Sequence, residues 1–234
     1  MNKILNILGA TAIALSMTSC QDWLDMPSES SADSGSVFET VGRAEMATVG
    51  AYPYLHTQEL GYQLLEGTDE AASNESNSKY DASNYNFTNL SGMLSKTYTN
   101  MYSAIEYANV CIKNLPAMSV SDSEKSKVNA LLGEALAIRA YAYWNLLRFY
   151  GDVPFTTTPT ADASTFSSSR TSRDVIYDQC IADLQQAVEL LPWQGEANAP
   201  ATTERFCKNS AYGILARVAL YAAGYSLRWD LETY

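Results

Sequence analysis

The apolar positions of this chain recur mainly at the spacing of an α-helix. Between Val37 and Ala51 they fall three or four residues apart, and this pattern stops at Pro53. The same spacing returns at Lys96 and continues to Pro116. No segment of useful length alternates with a period of two, so we expect few β-strands.

The longest predicted helix carries clear signals at both ends. It begins at a capping box, in which Ser121 is followed three residues later by Glu124. It ends at Gly151, with Pro154 beyond, and at about 1.5 Å per residue it should be about 40 Å long. This segment predicts one long helix that other helices can pack against.

The second half of that helix, residues 135–150, is apolar nearly all round, which is typical of a helix buried on most sides. Arg139 lies within it, and an unpaired buried charge is very costly. We therefore expect Arg139 to pair with an acid from a neighbouring helix or from the Gly151–Asp152 turn. A catalytic role for Arg139 is the weaker alternative.

Two more amphipathic segments follow, at 176–191 and 205–225. Successive helices with small residues at their contacts are typical of stacked helical hairpins. Between the helices, residues 67–92 and 156–173 are rich in Ser, Thr and Asn and have no sustained apolar period. We predict an all-α fold of tetratricopeptide-like hairpins with long irregular loops.

Residues 1–19 have the features of a signal peptide: Lys3 precedes an apolar run, 4–17, that is too short to span a bilayer. Small residues then lead into Cys20, which resembles the lipid-attachment site of bacterial lipoproteins. We expect Cys20 to carry the lipid and residues 20–36, rich in Ser and Asp, to form a flexible tether. The alternative is a soluble secreted protein. Membrane contact is expected through the lipid anchor only.

The charge and the cysteines exclude several functions. The chain carries 26 acidic and 15 basic residues, a net charge of −11, which disfavours nucleic acid as a partner. Cys111, Cys180 and Cys207 each fall on a predicted apolar stripe, so we interpret them as small buried side chains. There is no CxxC motif and His56 is the only histidine, so a zinc site is not expected.

Acidic residues cluster in the loop that begins near residue 67: Glu66, Asp69, Glu70 and Glu75. They could imitate the carboxylate pair of a glycosidase or provide oxygen ligands for calcium. Clustered acids in a polar loop are more often solvated, and the chain offers no convincing set of acid, base and nucleophile. We expect no enzymatic activity, no metal and no cofactor, with calcium as the alternative.

Several segments together carry a family resemblance. Residues 131–155, LLGEALAIRAYAYWNLLRFYGDVPF, are similar to the GEA-x-x-x-RA-x-x-Y-(F/W)-x-L-x-R-x-(F/Y)-GD-VP-(F/L) stretch of the SusD/RagB family. The CQDWLDMPS segment, 20–28, resembles the mature N-terminus of that family. Three helical segments, 98–115, 176–192 and 211–225, resemble its helices in the same order.

The resemblance implies a surface lipoprotein of Bacteroidetes that binds nutrients, mostly glycans, at the outer membrane during polysaccharide utilisation. Such proteins are not enzymes; they capture ligand and act as a lid over a TonB-dependent, SusC-like transporter. Family members are much longer, so we expect residues 37–234 to be a SusD-like N-terminal helical domain of a truncated or partial product. An oligopeptide-binding lid and a helical-repeat interaction protein without a small ligand remain alternatives.

In the family, part of the glycan platform lies between an acidic pair, which corresponds here to Asp69 and Glu70, and a Tyr-rich helix, which corresponds to 98–115. The resemblance therefore places it within residues 74–90. Aromatic rings suit the C–H faces of a sugar, and amides suit its hydroxyls. The candidate ligand residues are therefore Tyr80, Asn84, Tyr85 and Phe87. The alternative is that these rings pin the loop to the helices.

Overall fold

The computed structural model describes residues 34–65, 68–70, 85, 86, 88, 91–164, 168–200 and 202–224. The chain divides into two units, residues 1–36 and 37–234. The helices are α1 (Ser34–Val37), α2 (Val41–Val49), α3 (Tyr52–Leu55), α4 (Gln58–Leu65), α5 (Gly92–Asn114), α6 (Asp122–Tyr150), α7 (Arg173–Leu190) and α8 (Lys208–Ala223). Two short strands, β1 (Val153–Pro154) and β2 (Arg170–Thr171), pair antiparallel. The predicted all-α class is confirmed.

Helix α6 is the centre of the second unit, with α5 on one side and α7 on another. Ala135, Ala137, Ala140 and Ala142 are fully buried, and their small side chains allow the neighbouring helices to approach closely. A Cβ atom added at Gly133 would lie 2.8 Å from Leu191 Cγ, so the end of α7 lies directly against α6 at this position. Helix α8 then packs mainly on α7 and touches α6 only slightly.

Both predicted ends of α6 are confirmed. A capping box at Ser121 and Glu124 begins the helix. At its other end, the Gly151 N–H donates to the Leu147 carbonyl at 3.2 Å. Gly151 has a φ of 71°, and an added Cβ there would lie 2.5 Å from Arg173 Nη2. The backbone conformation therefore favours glycine, and a larger residue would also have to displace the end of the Arg173 side chain.

The prediction that Pro53 stops a helix is wrong. Helix α2 already ends at Val49, with Gly50 as its cap, and Pro53 lies in the first turn of α3. Proline is tolerated there because the N–H groups of a first helical turn have no partner within the helix. Helix α5 also begins earlier than predicted, at Gly92 instead of Lys96.

The three described cysteines are free and buried, as predicted, but Cys207 is the N-cap residue of α8 and not part of an apolar stripe. Cys111 lies in the core between α2, α5 and α6, and Cys180 lies in the larger core around α6 and α7. Burial raises the pKa of the Cys111 thiol to about 11 and also raises the pKa of the Cys180 thiol. These thiols are packing groups.

Candidate functional site

The segment between α4 and α5 carries the predicted ligand residues, and Tyr85 is the one that the structure describes. Cys20, Tyr80, Asn84 and Phe87 lie outside the described residues. The Tyr85 side chain is 78% exposed, and its φ of 52° lies in the left-handed region that side chains seldom adopt. Most of the surface of this residue is therefore open to solvent.

The end of this segment is fastened to the first turn of α5. The Thr88 N–H donates to Ser91 Oγ at 3.1 Å, and the Ser91 N–H donates to the Thr88 carbonyl at 3.0 Å. The Ser91 side chain is buried, so this pair of bonds is protected from water. Tyr85 is therefore three residues from a fixed point of the scaffold.

At the other end of the same segment, Asp69 and Glu70 are exposed, while Glu66 and Glu75 lie outside the described residues. Within the described part of the chain, no three His, Cys, Asp or Glu side chains are grouped to hold a metal ion. None of the described helices is both long and apolar enough to cross a membrane.

Arg139 is paired as the sequence predicts, with an acid from a neighbouring helix. Its Nε donates to Asp183 Oδ2 at 2.7 Å and its Nη2 to Asp183 Oδ1 at 2.8 Å. Its Nη1 donates to Asn109 Oδ1 at 3.0 Å. This network joins α5, α6 and α7. The other expected partner, Asp152, instead accepts from Arg173 at 2.8 Å.

Tyrosines of α5 and α6 hold the segment after β1 in place. The Tyr102 hydroxyl donates to the Pro154 carbonyl at 2.6 Å, and the Tyr143 hydroxyl donates to the Thr156 carbonyl at 2.8 Å. Burial raises the pKa of both phenols, which therefore stay protonated as hydrogen-bond donors. These rings belong to the scaffold and are not free to bind a ligand.

A second buried network centres on Glu134, and sequence reasoning did not predict it. Arg205 donates to Glu134 through Nη2 at 2.6 Å and Nε at 3.0 Å, and the Tyr52 hydroxyl donates to it at 2.7 Å. Arg205 Nη1 also reaches Glu45 at 2.7 Å. Burial raises the pKa of Glu134, while the bonds from Arg205 and Tyr52 oppose that rise. The network ties α2, α3 and α6 to the start of α8.

An open cleft of about 490 Å³ lies between α6 and α8, beside the last turn of α4. It exists because α8 packs on α7 and leaves a groove against α6. Its lining comes from one face of α6, one face of α8 and one residue of α4: Tyr141, Trp144 and Arg148; Ser210, Gly213, Ile214 and Arg217; and Leu64. The spacing of three, four and seven residues within each helix puts these side chains on one face.

Two guanidinium groups give the cleft its charge. The Arg148 guanidinium carbon lies 4.6 Å from the Trp144 ring centroid, and Arg148 Nη1 donates to Asn145 Oδ1 at 3.3 Å. Among the described residues, neither Arg148 nor Arg217 has a carboxylate at salt-bridge distance. Sequence reasoning used Trp144 and Arg148 only as parts of a family motif. The available signal was their spacing of three and seven residues from Tyr141, which puts all three side chains on one face of the helix.

A model of the SusD-like family, described as "Starch-binding associating with outer membrane", matches residues 22–220. The chain belongs to this family. The predicted resemblance is confirmed. The family description is one of binding, which is the class of function that the sequence analysis predicts.

Known relatives are similar over most of this chain but are much longer. The chain is 31% identical to SusD-like protein P2 of Formosa agariphila over 189 residues, which cover 77% of this chain and 37% of the relative. It is 26% identical to SusD-like protein P38 of the same organism, covering 96% of this chain and 44% of the relative. The chain thus spans less than half the length of either relative.

Solved structures share the fold. A SusD homolog from Bacteroides thetaiotaomicron superposes with a TM-score of 0.70 at 20% identity, covering 85% of this chain and 40% of that one. A laminarin-binding SusD-like protein superposes with a TM-score of 0.66 at 23% identity, covering 78% of this chain and 40% of that one. The tetratricopeptide-like arrangement of helices is therefore that of SusD-like proteins.

Proposed function

We propose that this protein binds glycans at the outer surface of the cell and has no catalytic activity. The observation that carries the proposal is the family match over residues 22–220, described as starch-binding and associated with the outer membrane. One structural relative is a laminarin-binding protein, and another is a putative sugar-binding protein from Bacteroides vulgatus. Both descriptions support a carbohydrate ligand.

The protein acts, in this proposal, as a lid over a TonB-dependent, SusC-like transporter. The lipid on Cys20 holds it at the outer membrane, and residues 20–36 form the tether about which the body swings. The interlocked helices support this action, because the Arg139 and Glu134 networks join α2, α3, α5, α6 and α7 into a stiff body. A stiff body on a flexible tether can move as one piece.

The ligand contacts are Tyr80, Asn84, Tyr85 and Phe87. The exposure of Tyr85, at 78%, supports this assignment, because most of its surface can be reached from solvent. Rings of this kind add modest affinity at a wet surface, which suits a ligand that must be passed on to a transporter.

The test is calorimetry with a panel of neutral oligosaccharides and oligopeptides on the mature chain and on a form extended by whatever coding sequence follows. Replacing Tyr80, Tyr85 and Phe87 by Ala should weaken glycan binding by about tenfold or more. The matched control replaces the exposed rings of Tyr107, Trp193 and Tyr212, which lie outside the loop, and should leave binding unchanged.

The panel also separates the alternatives. Binding that is restricted to peptides would identify an oligopeptide lid. Binding of neither class by either form would argue for a protein-interaction role and against the proposal. Turnover of any glycan by the purified protein would contradict its non-enzymatic part. Release of a Cys20→Ala variant from membranes would support the anchor.

A further inference from the structure

The cleft between α6 and α8 is lined by two cations that have no carboxylate partner among the described residues. Most described cations have such a partner within the protein: Arg43, Lys96, Lys113, Lys125, Lys127, Arg139, Arg173 and Arg205. Outside the cleft, Lys208 also has none and lies instead over the Trp193 ring. Arg148 and Arg217 have none either, and both line this cleft. This is unexpected in a chain with 26 acidic and 15 basic residues.

We propose that this cleft binds an acidic sugar unit, through a carboxylate or a sulfate group held between Arg148 and Arg217. The inference rests on the proposed glycan-binding function and adds a substrate class to it: glycans that carry uronic acids or sulfate esters. It also adds a second contact surface, separate from the aromatic loop at residues 80–87.

Arg148 is already positioned for an anion. Its guanidinium carbon lies 4.6 Å from the Trp144 ring centroid and 5.5 Å from the Tyr221 ring centroid, and Asn145 accepts one of its N–H groups. These contacts fix the side chain, so little further ordering is needed when an anion binds. Because the group is half-buried, its attraction for an anion is also screened less than it would be in open water. Arg217, on the facing wall, is exposed and supplies the second cation.

The walls of the cleft suit a sugar more than a bare ion. Tyr141, Leu64 and Ile214 provide apolar surface for the C–H faces of a ring, whereas the Ser210 hydroxyl is already bonded to the Cys207 backbone. The volume of about 490 Å³ lies within the range of small-molecule sites. A site for a free inorganic ion would need no such apolar lining.

Leu64, which lines the cleft, lies in the last turn of α4. The competing occupant is an acid-bearing polypeptide packed on α8, whose Leu220 and Tyr221 are 72% and 46% exposed.

The experiment measures calorimetric affinities of the mature chain for tetragalacturonate, a sulfated galactan tetrasaccharide, neutral laminarihexaose and inorganic sulfate. At least one acidic oligosaccharide should bind at least about tenfold more tightly than the neutral one. A comparison of the affinities for the galacturonate and for the sulfated galactan then tells whether the site prefers a carboxylate or a sulfate group. Arg148→Gln and Arg217→Gln should each weaken that binding about tenfold and leave laminarihexaose unaffected. Arg43→Gln is the control, because it removes the same charge from a surface pair with Glu39.

The inference would be overturned by equal affinity for acidic and neutral sugars. It would also be overturned if the double variant Arg148→Gln/Arg217→Gln bound acidic sugars as tightly as the parent protein. An equal loss in Arg43→Gln would overturn it as well, since binding would then follow net charge alone. Neutral binding without acidic preference leaves the glycan function intact and assigns the cleft to polypeptide packing. Binding of no carbohydrate at all, by the mature chain or by the extended form described above, overturns both. Arg217 is exposed, so its variant carries the test if Arg148→Gln does not fold.

Discussion

Two arginines on helix α6 differ sharply in their surroundings. Arg139 is 5% exposed and is held by both oxygens of Asp183 and by Asn109. Arg148 is half-buried at the edge of the cleft, packs on Trp144, and has no carboxylate partner among the residues that the structure describes. The two side chains have the same chemistry and lie on one helix; what differs is their depth in the protein.

Depth decides how a guanidinium must be satisfied. Deep between helices there is no water, so each charge needs an opposite charge and well-aligned hydrogen bonds. At a wet edge, an aromatic face and solvent are sufficient, and the cation stays able to bind an external anion. The deep arginine therefore serves the fold, and the shallow one is available for function.

The largest expected effect is the loss of the buried acid. Asp183→Ala leaves the Arg139 charge buried without its carboxylate and should lower the free energy of unfolding by about 3–5 kcal/mol. Asp162→Ala is the control, because its pair with Lys113 lies at the surface and should cost about 1 kcal/mol or less. Chemical denaturation measures both. Equally small losses of unfolding free energy in the two variants would contradict the proposal that the buried pair matters more than the surface pair.

A smaller loss is expected at the second network. Glu134→Gln keeps the shape but removes the charge that accepts from Arg205 and Tyr52, and should cost about 2–3 kcal/mol. Glu45→Gln is matched in chemistry but more exposed, and should cost about 1 kcal/mol. The same denaturation curves compare them, and a larger loss at Glu45 would reverse the order of importance proposed for the two acids.

Removal of both buried charges together sharpens the comparison. In Arg139→Met/Asp183→Leu no charge is left unpaired, so stability should return to within about 1–2 kcal/mol of the parent. Asn109 then loses one donor to its side-chain oxygen, which accounts for part of the remaining loss. A double variant as unstable as Asp183→Ala would mean that packing and not charge dominates at this site.

The smallest effect on stability is expected at the cleft. Arg148→Gln loses a cation–π contact with Trp144 and should cost about 0.5–1 kcal/mol. Thermal and chemical denaturation would detect a larger value, and a loss near that of Asp183→Ala would show that Arg148 is a structural residue after all. The small loss of stability should accompany a large loss of acidic-sugar binding.

The residues that sequence analysis interpreted correctly are those whose signals are local. The capping box at Ser121, the glycine at Gly151 and the apolar stripes around two of the cysteines depend on neighbouring positions along one helix. Pro53 was misread because proline both ends helices and begins them, and the local pattern does not distinguish the two. The loop residues Tyr80, Asn84 and Phe87 stay predictions.

The sequence by itself determined that the chain is helical, that it belongs with SusD-like proteins, and that Arg139 must meet an acid. Only the tertiary structure decided that the acid is Asp183, that Glu134 joins Arg205 and Tyr52, and that α6 and α8 enclose a cleft. The reason is physical: helix spacing is set by neighbours along the chain, and an arginine on a helix that is apolar nearly all round needs an acid wherever that acid comes from. The identity of a partner depends instead on which helices pack together, and no local pattern specifies that.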